Sequence, residues 1–102
     1  MTPNHFRTSL SADHPPAGLQ PVLEALWWAG KEDWERAHAL VQDEAGAEAA
    51  WVHAHLHRVE GDLANAAYWY RRAGCPVASS GLDQEWLAIV AALLAPDTTP
   101  DP

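Results

Sequence analysis

From residue 19 onward, apolar residues recur at three- and four-residue spacings, and five segments carry the pattern. In 19–29, Val22, Leu23, Leu26 and Trp27 make one stripe; Pro21 sits in the first turn, where a missing N–H costs nothing, and Gly30 reads as the stop. In 34–43 the stripe is Trp34, Ala37, Leu40 and Val41, with Asp33 placed to cap the first turn. In 47–60 it is Ala49, Val52, Leu56 and Val59, closed by Gly61. Asp62 caps 63–73, where Leu63, Ala66, Tyr70 and Ala73 share a face flanked by Ala67 and Trp69; Gly74 and Pro76 end it. A last segment, 84–95, follows Asp83 and carries Trp86, Val90 and Leu93. No stretch alternates with the period of a strand, so the pattern predicts an all-α chain of five helices.

The flanks lack this periodicity. Residues 1–18 are polar with three prolines and predict an irregular N-terminal arm, which Phe6 and Leu10 can tack onto the body. Residues 96–102 (PDTTPDP) predict a disordered tail. Residues 19–95 are then a single helical domain.

Two of the helical segments repeat. Trp34 and Ala37 in ALWWAGKEDWERAHAL correspond to Leu63 and Ala66 in WVHAHLHRVEGDLANAAYWYRRAG, 29 positions later. A period of this size marks stacked helical hairpins, each covering its neighbour's apolar face. The second copy resembles the tetratricopeptide-repeat (TPR) superfamily through Gly61, Asp62, Leu63, Ala66, Tyr70, Ala73 and Pro76. The first resembles it through Asp33, Trp34 and Ala37. The period is shorter than that family's roughly 34 residues, so the resemblance implies a TPR-like array of two hairpins with a C-terminal capping helix. The same blocks, LWWAGKxDWERAH and HRVEGDLxNAAYWYRRAG, are similar to a set of small microbial proteins. That likeness implies a shared fold and no activity.

Composition narrows the function. Six Lys plus Arg against fourteen Asp plus Glu give a net charge of −8, which disfavours nucleic acid and anionic membranes as partners. One cysteine, Cys75, excludes an internal disulfide. With no apolar run long enough to span a bilayer, the expectation is a soluble cytoplasmic protein. No nucleophile elbow, phosphate loop or C-x-x-C is found, so neither an enzyme nor a cofactor is expected.

Helical arrays present a concave face lined by the first helix of each hairpin. Surplus aromatics there predict a protein or peptide partner, or a second copy of the chain. Trp27, Trp28, Trp51, His53 and His57 are the expected contacts, with Tyr68, Arg71 and Arg72 beside them. Arg71 and Arg72 close a helix, where cations meet its dipole favourably, and two arginines can also clamp a carboxylate or phosphate. The alternative is a metal or small-molecule site. His53 and His57 are one turn apart on the same helix face and Glu60 follows on that flank, a donor set that zinc uses. His55 faces the other flank, towards Trp51 and Arg58. A third possibility is that these polar residues only tie helices together.

Overall fold

The computed structural model describes residues 1–94, and among them it contains six α-helices and no strand. These are α1 (Pro3–Thr8), α2 (Pro21–Gly30), α3 (Trp34–Val41), α4 (Ala47–Glu60), α5 (Leu63–Ala73) and α6 (Leu82–Leu94), with a 3-10 turn over Ser9–Ser11. The five helices expected from periodicity are present within a few residues. The expected tail, 96–102, lies outside the described residues.

The N-terminal arm is the first difference. Thr2 accepts a hydrogen bond from the His5 N–H and Pro3 occupies the first turn, so the polar stretch starts a helix instead of staying irregular. Phe6 is 0% exposed and lies 5.7 Å, ring to ring, from Trp86. The Trp27 indole N–H donates to Ser9 Oγ at 3.0 Å, and Lys31 Nζ donates to the carbonyls of Leu10 and Ala12 at 2.7 and 2.9 Å. The arm is therefore part of the core.

The helix stops follow local chemistry. Asp33 and Asp62 both accept the backbone N–H three residues on, and Gly61 and Gly74 take the left-handed conformation. Gly30 does not end α2 in that way. It stays helical, and Glu32 takes the positive φ of 66°. What Gly30 provides is closeness: a Cβ there would meet Leu10 at 2.8 Å and Trp86 at 3.0 Å.

Helices α2 and α3 pack together, as do α4 and α5, and α4 also touches α2, α3 and α6. This central position buries eight residues of α4, including His53, His55 and His57. Val59 and Leu63, expected inside, are 45% and 65% exposed because they lie near the α4–α5 turn.

Helix α6 differs from expectation in its place. It rests on α1, α2 and α4, burying Trp86, Ile89 and Val90 against Leu26, Trp27, Val52 and Leu56. The Trp86 indole donates to the Leu26 carbonyl at 2.8 Å. The helix expected to cap the array thus lies across the two helices expected to line an open face. Among the described residues, no helix is long and apolar enough to cross a membrane.

Candidate metal centre

Helix α3 supplies the histidine that sequence reasoning missed. His38 lies four residues after Trp34 and three before Val41, which puts it on the apolar stripe of α3 facing α4. Its Nε2 lies 2.9 Å from His53 Nε2, so one of the two nitrogens carries the shared proton. His57, one turn along α4, completes the group, and one ring nitrogen from each of the three lies within 4.8 Å of the others. The clue was present in sequence as a polar residue in register with a core stripe, opposite a helix bearing two more histidines.

The rings are held on several sides. Trp34 stacks on His38 at 4.7 Å and 9°, and the Trp34 N–H is anchored on the Leu56 carbonyl at 2.6 Å. Trp69 of α5 stacks on His53 at 3.8 Å and 12°. His53 and His57 lie nearly parallel, 4.9 Å apart, while His38 stands across both. His57 Nδ1 bonds the Glu60 carboxylate at 2.7 Å, leaving Nε2 as the lone pair that a metal can use. Glu60 therefore does not join the three nitrogens as a ligand; it stands behind His57 and fixes its tautomer, as outer carboxylates do in zinc sites.

The electrostatics disfavour the charged form of two of the rings. Burial, then the neighbouring His38 and His57, push His53 down to about 4. Burial and then His57 also lower His38, with Glu60 opposing. Neutral imidazole is the ligand form. Ligand nitrogens about 2.0–2.1 Å from a tetrahedral zinc stand about 3.3 Å apart, so rotations of around an ångström close the triangle.

On the opposite flank of α4, Glu85 forms a second polar cluster. This carboxylate is 3% exposed and accepts from His55 Nδ1 at 2.8 Å, Arg58 at 3.0 Å and Trp51 at 3.2 Å, and also from the Tyr70 hydroxyl. Burial alone raises the carboxyl, but hydrogen bonds from His55, Tyr70 and Arg58 override it and hold it at about 2. Burial and the bond to Glu85 push Tyr70 upward. His55 thus lies where the pattern placed it, beside Trp51 and Arg58.

The expected partner contacts fare unevenly. Trp27 is fully buried, His53 and His57 are buried in the histidine cluster, and Trp51 is committed to Glu85. Trp28 is partly covered by the Arg36 guanidinium, 4.2 Å from its ring. Tyr68, Arg71 and Arg72 remain exposed. Arg72 lies over Trp69 and donates to the Tyr68 hydroxyl at 3.1 Å, so the arginine pair does not join the histidines in one cavity. No family model, curated protein or solved structure matches the chain, which leaves its own geometry to carry the functional reading.

Proposed function

We propose that this protein binds one first-row divalent metal ion, zinc by the chemistry of the donors, through His38, His53 and His57. The observation that carries the reading is the meeting of three imidazoles from two helices, two of them buried and one half-buried, with Glu60 bonded behind one of them. Imidazole nitrogens suit zinc and its neighbours rather than calcium or magnesium, which prefer oxygen. Three protein nitrogens leave a fourth position for water or a small ligand. An ion here links α3 to α4, so its binding energy adds to the stability of the fold. The pairing of α2 with α3 and α4 with α5 supports a TPR-like array as the scaffold.

The partner-binding reading retains Tyr68, Arg71 and Arg72 as accessible residues. The face it most needs, along α2 and α4, carries α6. The metal reading therefore stands ahead.

The test is thermal unfolding of chelator-stripped protein against zinc, cobalt, nickel, magnesium and calcium. Zinc raises the melting temperature of the natural chain and leaves His38→Gln unchanged, while magnesium and calcium move neither. An equal shift in His38→Gln, or none with any transition metal, overturns the proposal.

A further inference from the structure

Helix α5 packs against α4, and its far side is open. Two rows of side chains at four-residue spacing run along that side: Leu63, Ala67 and Arg71, and beside them Ala64, Tyr68 and Arg72. Both rows start apolar and end in an arginine. Leu63 and Tyr68 are 65% and 43% exposed, a large apolar area for an edge helix of 11 residues. Asp62, also exposed, caps the helix just ahead of both rows.

The cations on this face differ from the others in the chain. Arg7, Arg36 and Arg58 each pair with a carboxylate, and Lys31 is bonded to two backbone carbonyls. Arg71 and Arg72 are the remaining two of six basic residues, on a chain with fourteen acidic ones. Among the described residues, Arg72 engages Tyr68 and Trp69 but no carboxylate, and Arg71 has no polar partner. Acid comes first along the face, then an apolar centre, then cations. An antiparallel copy of the same helix presents that order in reverse.

We propose that the open face of α5 docks a second copy of this chain, the two α5 helices pairing antiparallel about a two-fold axis at Ala67. The small side chains of Ala64 and Ala67 let the helices approach closely. Around that axis Leu63 meets the apolar stem of Arg71 from the other copy, and Asp62 meets the guanidinium groups of Arg71 and Arg72. The contact is self-complementary, so every pair in it occurs twice. A foreign acidic segment satisfies the arginines but sets like charge against Asp62. The net charge of −8 opposes association over most of the surface, which leaves the arginine-bearing face as the favoured approach. The histidine cluster lies towards α4, where Trp69 covers His53, so association requires no metal.

The test is sedimentation equilibrium of the full chain in chelator, over a concentration series reaching about 1 mM, since a contact of one helix pair is small and associates weakly. The natural chain forms a reversible dimer and no larger species, because a two-fold contact closes on itself. Arg71→Glu weakens the dimer about tenfold, attraction becoming repulsion at two places per dimer. In a Cys75→Ser chain, Ala67→Cys links two copies by a disulfide under oxidised glutathione, whereas Ala39→Cys, exposed on α3, does not. A chain that stays monomeric, as a face kept for an unrelated acidic protein leaves it, overturns the proposal. So does a dimer of unchanged strength in Arg71→Glu, a dimer that needs zinc, or equal linking through Ala39→Cys.

Discussion

Replacing Glu85 by Gln removes the charge on which four side chains of α4 and α5 converge. Holding this carboxyl at about 2 instead of an ordinary 4.5 corresponds to about 3 kcal/mol of stability at neutral pH. The amide returns one acceptor oxygen but turns an NH2 towards groups that are themselves donors. It also leaves Arg58, only 16% exposed, without its counter-charge. Breaking a buried pair from one side costs about 3–5 kcal/mol, in agreement. For a domain of this size, a loss of about 3 kcal/mol lowers Tm by roughly 12–24 °C. The pH dependence gives a second check. The folded pKa lies below the unfolded one, so the contribution is whole above about pH 4.5 and is lost as pH falls towards 2. The gap between natural chain and variant therefore shrinks from about 3 kcal/mol at pH 7 to about 1.4 kcal/mol at pH 3. Urea unfolding followed by circular dichroism at both pH values measures it. A cost below about 1 kcal/mol at pH 7, or a gap that does not change with pH, refutes the reasoning.

Three further outcomes follow from other parts of the molecule. Glu60→Gln keeps the fold, since this side chain is partly exposed, but weakens zinc binding about 10–100-fold by calorimetry, because the outer hydrogen bond to His57 changes character. Phe6→Ala costs about 3–5 kcal/mol in urea unfolding, a cost that an arm lying loosely on the surface does not produce. Glu32→Gly relieves a left-handed residue in the α2–α3 turn and stabilises the chain by about 1 kcal/mol, seen as a higher Tm.

Local signals in this sequence are strong, and they translate directly into helices. Asp33 and Asp62 cap, Gly61 and Gly74 terminate, and α4 and α5 begin and end where the stripes and stops placed them. The arm's contact through Phe6 and Leu10 was legible, but its helix was not, because three prolines pointed to irregular chain although Pro after Thr2 is a helix start. The position of α6 was illegible for a different reason. Its stripe says that it must bury Trp86 and Val90 but not against which helices, and the buried partner of His55, Arg58 and Tyr70 sits on that helix at Glu85. The candidate site was legible by half. The one-turn spacing of His53 and His57 is a property of a single helix, whereas the approach of His38 depends on how α3 crosses α4. Helix packing also converted residues expected at an open groove into enclosed ones, with Trp51 turned to Glu85 of α6 and Trp27 to the N-terminal arm, since an amphipathic pattern identifies a buried face without naming what covers it.

The central claim is that three imidazoles hold one ion, and X-ray absorption at the zinc edge of the zinc-loaded chain tests it most directly. The account predicts one zinc per chain with three imidazole nitrogens at about 2.0–2.1 Å, falling to two in His38→Gln. A first shell of oxygen or sulfur, or a spectrum unchanged in His38→Gln, contradicts it.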